Sequence, residues 1–337
     1  MKQKLSIVIL NWNGKKYLRE FLPILLRHIP DYAEVVVADN ASTDDSVKVI
    51  QEEFSQVRLI QNSSNAGFAK GYNLALQQID ADYYCLLNSD IEVTENWVEP
   101  IISMLDNDLQ IGAVQPKLRS FTERDSFEYA GASGGFIDKY GYPFCRGRLF
   151  EKVEKDIGQY DEPIEIFWAT GAALFVRSEI YHQLGGLDED FFAHMEEIDF
   201  CWRVKSLGYK IMVNPKSVVY HVGGGTLPKQ NPLKTFLNFR NNHFLLVKNL
   251  PTNRLFITGF IRFFLDIAAA CLFLIKGNYK DFFAVFKAMG ASVAGYRKML
   301  KKRGNSPQNT YQDTCEKSIV FLHYIKRKHY FNGKQFS

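Results

Sequence analysis

The sequence predicts an α/β fold, a mostly parallel sheet between helices, with a C-terminal amphipathic helical extension. Three observations carry this. Short β-branched runs such as Leu5–Leu10 and Ala33–Ala38 alternate with helix-like stretches, the pattern of βαβ units. Each run stops abruptly in amides, hydroxyls or carboxylates, as strands do where a parallel sheet opens its ligand crevice. Beyond residue 254 the pattern changes to long apolar segments followed by basic clusters.

Length and charge narrow the classes. With 337 residues, 46% of them hydrophobic, the chain can build one large α/β domain plus an appendage. The net charge of +4 hides an asymmetry, because residues 276–337 hold 13 Lys+Arg against 3 Asp+Glu and the remainder is net acidic. The body is therefore no nucleic-acid binder, and the basic tail has its own partner. Cys85, Cys145, Cys201, Cys271 and Cys315 are scattered, without a C-x-x-C pair, and read as reduced thiols of a cytosolic protein. The apolar run at the N-terminus is too short for a signal peptide's core, so the body is expected in the cytoplasm.

Leu5–Leu10 reads as a buried strand ending at Asn11-Trp12-Asn13-Gly14, Lys16–His28 as a helix, and Ala33–Ala38 as a strand ending at Asp39. Asn11 and Asp39 then share one rim. Val57–Gln61 is a third strand. The stretch Asn62–Asn73, with Asn65, Gly67, Gly71 and Asn73, leads into a helix at Leu74–Ile79 and offers backbone N–H groups and side-chain amides to an anionic ligand. Asp82–Leu87 is the fourth strand and delivers Asn88-Ser89-Asp90 to the same rim. Asn88 and Asp90 are hard oxygen donors two residues apart, able to reach one divalent cation and leave most of its shell to phosphate and water. A plain strand-ending turn is the competing reading.

These residues resemble a known family. Ile9-Leu10-Asn11-Trp12-Asn13, Val37-Ala38-Asp39-Asn40-Ala41-Ser42-Thr43-Asp44, Asn65-Ala66-Gly67-Phe68 and Leu87-Asn88-Ser89-Asp90 match, in order and spacing, glycosyltransferase family 2, with its rhamnosyltransferase-like bacterial members. The resemblance implies a GT-A-like, Rossmann-like fold. It places Leu10, Asn11 and Asp39 on the nucleobase, and Asn65, Gly67, Asn73 and Ser89 along the nucleotide. It makes Asn88-Ser89-Asp90 the family's D-x-D metal motif. Asn88 stands where the family has Asp, which leaves Asp90 as the main ligand and weakens metal affinity.

Trp97–Leu105 reads as a helix and Ile111–Gln115 as a strand. Residues 117–165, rich in glycine and aromatics, are expected to form surface loops and a small hairpin over the sugar site. There Arg146 and Arg148 are phosphate contacts, or are solvated or paired structurally. Gly171–Val176 is another strand, and Trp168 beside it is core or a sugar-stacking platform.

The second dense cluster is Asp188 to Arg203. Ile198, Cys201 and Trp202 fall at helical spacing, which gathers Glu196, Glu197 and Asp199 at a helix's first turn, where acids are favoured by the dipole. Two adjacent glutamates exceed what capping requires, and a carboxylate there can take a proton from an attacking hydroxyl. The segment resembles the family's E-D motif, whose second acid is the base. That puts the role on Glu197, with Glu196 and Asp199 as orienting neighbours and Asp188 as second candidate. Glu replaces the usual Asp, moving the carboxylate by roughly one C–C bond. Lys210–Val213 and Val218–Tyr220 are short strands, the second delivering His221 ahead of Gly223-Gly224-Gly225-Thr226. A histidine before three glycines suits a third metal ligand or a diphosphate contact. The resemblance covers residues 4–245.

Leu255–Ile275 is long enough to span a bilayer, but Arg262 and Asp266 near its middle would each cost roughly 2.5–3.5 kcal/mol. Four residues apart, they can pair on one face. A helix lying in the membrane interface is expected. Arg297, Lys298, Lys301, Lys302 and Arg303 follow, suited to anionic headgroups. The competing reading is a helical subdomain packed on the body or on a second subunit, in a homo-oligomer. Residues 304–314 read as a loop and Lys317–Arg327 as a last helix.

The domain expectation is a catalytic unit over 1–248, divided into a nucleotide-sugar-binding half (1–115) and an acceptor half (116–248), then a basic helical region over 249–337. The functional expectation is an inverting, metal-dependent (Mg²⁺ or Mn²⁺) hexosyl- or deoxyhexosyltransferase, inversion being implied by the resemblance. It would use a nucleotide-diphosphate sugar and a glycan or lipid-linked acceptor in bacterial surface polysaccharide synthesis, peripherally on the inner face of the plasma membrane. A nucleotidyltransferase and a non-catalytic glycan-assembly subunit are the alternatives; Asn11-Trp12-Asn13-Gly14-Lys15 is a poor match to the former's basic Gly-rich signature.

Overall fold

The computed structural model describes residues 3–223, 231–303 and 314–336. Gly224 to Thr226 of the glycine run, and the loop expected over 304–314 except Thr314, lie outside them. β1 (Gln3–Asn11), α1 (Lys15–Arg27), β2 (Ala33–Asp39), α2 (Ser46–Glu53), β3 (Arg58–Gln61), α3 (Gly67–Leu76) and β4 (Ala81–Asn88) follow one another as βαβ units. β5 (Ile91–Val93), α4 (Glu99–Asn107) and β6 (Ile111–Ser120) come next. A small antiparallel sheet is built from β7 (Gly135–Ile137), β8 (Pro143–Cys145), β9 (Arg148–Leu149) and β10 (Lys152–Val153). The main sheet resumes with β11 (Ile164–Ile166), β12 (Ala173–Arg177), α5 (Ser178–Gln183), α6 (Glu196–Ser206) and β13 (Lys210–His221). Four helices close the described chain: α7 (Pro232–Asn249), α8 (Thr252–Ile275), α9 (Tyr279–Lys301) and α10 (Ile319–Tyr324).

The main sheet runs β11-β13-β6-β12-β4-β1-β2-β3, with β5 on β13. The block β4-β1-β2-β3 is parallel, as the alternating runs predict. Beyond β4 the sheet is mixed: β12 inserts antiparallel to both β4 and β6. Alternation along β1 feeds two cores. Ile7 and Ile9 face α1, α2 and α4 with Leu18, Leu22, Val49, Ile101 and Leu105, whereas Val8 faces Tyr72, Leu76 and Leu86. Register places Asn11 opposite Asp39, and Leu10 opposite Asn88. One rim thus receives all the strand-end polar residues.

Several element expectations need correction. α3 starts at Gly67, seven residues before Leu74, because its glycines are close-approach positions and not loop markers. A Cβ at Gly71 would lie 2.8 Å from Leu10 Cδ1, and one at Gly67 2.6 Å from the Phe192 ring. Residues 117–165 hold the small second sheet, β7–β10, whose first three strands are mostly buried, among turns. Of the alternatives for Arg146 and Arg148, structural pairing holds: buried, they donate to the carbonyls of Ser133 (3.0 Å) and Tyr129 (2.9 Å). Trp168 is core, its Nε1 donating to Phe136 O at 2.8 Å, so it offers no stacking face. The two strands expected over 210–220 are one, interrupted by a bulge between Asn214 and Val218.

The tail is packed on the body. α9 lies against α7 and α8. Residues 314–336 return to the small sheet, where Phe331 meets Phe136 and Phe144 and Ile319 N donates to Asp138 Oδ2 at 3.0 Å. On α8 the Arg262–Asp266 pair is turned inward. Arg262 stacks 4.0 Å from the Tyr142 ring centre and bonds Asn242, while Asp266 meets His243 at 2.7 Å. The opposite face leaves Phe256 85%, Phe260 59% and Phe264 55% exposed. The basic cluster is divided. Lys298 and Lys302 pair with Asp190, and Arg303 donates to Val247 O and Leu250 O, so these three hold the tail to the body.

Candidate active site

At the rim, Asn11 Nδ2 donates to Asp39 Oδ1 (3.0 Å), and Asp39 also accepts from Ser42 N (2.9 Å). Asn11 Oδ1 is buried without a partner, and Gly14 leaves it room: a Cβ there would lie 2.3 Å away. Asn40, not singled out from the sequence, links the neighbouring loops by donating to Asn65 Oδ1 (3.0 Å) and Gly67 O (3.1 Å). Asn65 accepts in turn from Gly67 N at 3.0 Å. Asn73 belongs elsewhere. Its Oδ1 accepts from Tyr181 OH (2.7 Å) and Leu187 N (3.0 Å) and its Nδ2 donates to Leu187 O (2.8 Å), which staples α3 to the turn after α5 and leaves nothing for a nucleotide.

β5 and β13 pair antiparallel, and this brings Asp90 to His221 across 130 residues of chain. His221 Nε2 lies 3.2 Å from Asp90 Oδ1, and Nδ1 lies 3.4 Å from Glu128 Oε1, a residue the sequence reading missed. Burial works against both charges, yet each supports the other. The imidazole holds Asp90 below the usual carboxylate range, and Glu128 with Asp90 pushes His221 up to about 10. A carboxylate and an imidazole backed by a second carboxylate suit a hard divalent cation, which would displace the imidazole's extra proton, and Asn88, two residues before Asp90, would add an amide oxygen. Among the described residues no three His, Cys, Asp or Glu side chains enclose a metal, so phosphate and water would complete its shell.

The acid cluster lies at the N-terminus of α6. Glu196 is buried and Glu197 half-buried, each with one carboxylate oxygen enclosed and unpartnered. Burial pushes Glu197 up to about 7, against backbone N–H groups that pull it down. Burial, then the neighbouring charges of Glu197 and Asp199, push Glu196 far above the carboxylate range. Asp199 has no oxygen to spare. Arg203 and Lys248 take Oδ2 at 2.8 Å each and Asn249 takes Oδ1 at 2.8 Å, so Asp199 anchors α6 to α7. Asp188 is likewise committed, to Lys248 at 2.7 Å and to Lys302.

The loop before α6 crosses the start of α3, with Phe68 N donating to Phe192 O at 2.8 Å. A Cβ at Gly171, where β12 begins, would sit 3.2 Å from the Phe68 ring and 3.6 Å from Glu197 Cβ. Glu197 therefore stands beside the loop that carries Asn65 and Gly67. The loop is costly: Phe192, His194 and Met195 all have positive φ, at roughly 1–3 kcal/mol each for residues other than glycine. Asn241 and Arg240 on α7 hold its backbone, Lys248 and Asn249 fix Asp188 and Asp199 on either side of it, and nothing in their sequence marked them for this.

The family model "Glycosyl transferase family 2" matches residues 6–185, more than half of the chain. The chain belongs to that family and is a glycosyltransferase of GT-A fold. It is 25% identical over 248 residues to the N-acetylglucosaminyl-diphospho-decaprenol L-rhamnosyltransferase of Mycobacterium tuberculosis, covering 66% of this chain and 76% of the relative. It is 22% identical over 265 residues to the dTDP-rhamnosyl transferase RfbF of Shigella flexneri, covering 74% and 82%. The mannosyltransferase PcManGT of Pyrobaculum calidifontis, solved with GDP-Man and Mn²⁺, superposes with a TM-score of 0.52 at 14% identity, over 97% of this chain and 89% of that one. The family match ends before α6, so the acid cluster is read from its own geometry.

Proposed function

We propose that this glycosyltransferase moves a hexose or 6-deoxyhexose, with inversion, from a nucleotide-diphosphate donor to a hydroxyl of a glycan or lipid-linked acceptor in bacterial surface polysaccharide assembly. The observation that carries it is Glu197: a buried carboxylate with one free oxygen, poised near pH 7 beside the donor loop. Glu197 takes the acceptor hydroxyl proton, the oxygen attacks the anomeric carbon, and the bond to the diphosphate breaks on the opposite face. One displacement needs no covalent enzyme intermediate. Glu196, kept neutral, adds no second charge next to the base.

Asn11 and Asp39 receive the nucleobase, and Asn65 and Gly67 line the nucleotide. Asp90, His221 and Asn88 would hold a divalent metal, which supplies positive charge to the donor diphosphate as it leaves. The mycobacterial relative is named for a diphospho-decaprenol acceptor and the Shigella relative for a dTDP-rhamnosyl donor, which favours a dTDP-deoxyhexose and a polyprenyl-diphosphate acceptor here. α8, long and apolar enough to cross a membrane, keeps its charged pair inside the protein and its phenylalanines outside. That arrangement suits a helix lying on the cytoplasmic leaflet.

Calorimetric titration with UDP, dTDP and GDP, each with and without Mn²⁺, against wild type and Asp90→Ala tests the donor and metal assignments. One nucleotide should bind only with metal and only to wild type. Metal-independent binding of equal strength to both proteins would remove Asp90 from the site.

A further inference from the structure

We propose that Asn241 on α7 is a positioning residue for the transfer step, fixing the backbone of the loop that leads into Glu197 through the two N–H groups of its side chain, shared among three loop carbonyls within hydrogen-bond reach. The proposal rests on the assignment of Glu197 as base and adds to it the device that aims the carboxylate.

The loop needs such a device. Within four residues, Phe192, His194 and Met195 have φ of 64°, 69° and 73°, and none is glycine. Left-handed backbone is adopted by side-chain-bearing residues only where the surroundings enforce it. Met195 caps α6 directly, so its backbone sets the direction of the turn that begins with Glu196 and Glu197. A relaxed Met195 would swing both carboxylates.

Asn241 is fully buried, and its whole donor capacity goes to this loop. Nδ2 lies 2.9 Å from Phe191 O, 2.8 Å from Ala193 O and 2.7 Å from His194 O. Oδ1 accepts from Arg240 Nε (2.9 Å) and Nη2 (2.7 Å), which fixes the amide's orientation, and the same Nη2 reaches Phe191 O at 3.1 Å. A carboxylate in that place would repel three carbonyls, and an apolar side chain would take the donor from Ala193 O and His194 O and leave Phe191 O to Arg240 and Ala193 N. On its far side the loop is pinned by Phe68 N on Phe192 O. It is thus bracketed between α7 and the start of α3.

The test compares Asn241→Ala, and Asn241→Ser as the milder variant that keeps one donor should the alanine protein be insoluble, with Glu197→Gln and wild type. Steady-state kcat and KM, the pH profile of kcat and calorimetric nucleotide affinity are measured on the full chain. Positioning predicts a fall in kcat of roughly a hundredfold, nucleotide affinity within twofold of wild type, and an acid limb moved toward lower pH, because a loosened loop lets water reach the Glu197 carboxyl. Wild-type kcat and acid limb in either soluble variant would overturn the proposal, as would equal losses of kcat and nucleotide affinity with the limb unmoved. Glu197→Gln separates the two assignments: if it keeps wild-type activity, the base assignment itself falls, whatever Asn241 does.

Discussion

Replacing Glu197 by glutamine removes the ionisable group while keeping shape and the hydrogen-bonding oxygen. A general base contributes about 10²–10⁴-fold, so kcat should fall by that factor with nucleotide affinity unchanged. The wild-type enzyme should lose activity as pH falls through about 7, because protonated Glu197 cannot accept the acceptor's proton. Glutamine should abolish that limb. The same carboxylate bears on stability, and the sign follows from its raised pKa. Below about pH 4.5 it is neutral in both folded and unfolded chains and costs nothing. As pH rises toward 7 the unfolded chain ionises it freely while the fold does not, so stability is lost across that window. From 4.5 to about 7 the difference corresponds to about 3 kcal/mol at about 1.4 kcal/mol per pKa step. Glu197→Gln should therefore melt several degrees above wild type at pH 8 and at the same temperature at pH 4. The assay is nucleotide release with acceptor between pH 5.5 and 8.5, alongside calorimetric melting. A pH-independent wild-type rate, or a variant no more stable at pH 8 than at pH 4, would refute the reasoning.

Glu128→Gln should weaken Mn²⁺ binding, read by calorimetry in the presence of nucleotide, by about 10–100-fold, since it removes the charge behind His221 Nδ1. Gly67→Ala should destabilise the fold by roughly 1–3 kcal/mol and disturb the acid loop, because the new Cβ meets the Phe192 ring and carbonyl at 2.6 and 2.8 Å in a backbone with φ of 79°; urea unfolding reads the first effect and kcat the second. Phe256, Phe260 and Phe264 changed together to serine should abolish flotation with anionic vesicles and leave the melting temperature within a degree, each ring being worth roughly 1.5–3 kcal/mol when fully buried in lipid. Arg262→Met should instead destabilise the tail by up to about 3–5 kcal/mol, read by urea unfolding, since it removes one of the two cationic partners of buried Asp266 and leaves His243 alone.

The sequence by itself determined the parallel half of the sheet and its rim. Short β-branched apolar runs with polar ends are local signals, and they locate Asn11, Asp39, Asn88 and Asp90 without tertiary information. The acid pair was legible too, because Glu196 and Glu197 stand together at a helical N-terminus. His221 was legible only through its glycine neighbours. Tertiary structure decided the rest. Whether an amide binds ligand or staples the fold depends on what it faces, and Asn73 and Asp199 face Tyr181, Leu187, Lys248 and Asn249. Glycine at 67 and 71 signals flexibility in a sequence, but only packing shows whether the missing Cβ makes a loop or admits a neighbour. Glu128, Asn40 and Asn241 sit in stretches with no periodicity of their own, and their roles come from side chains brought in from distant positions. Pairing in a sheet and clamping by a helix are long-range contacts, and a polar residue's partner across such a contact leaves no mark on the residues beside it.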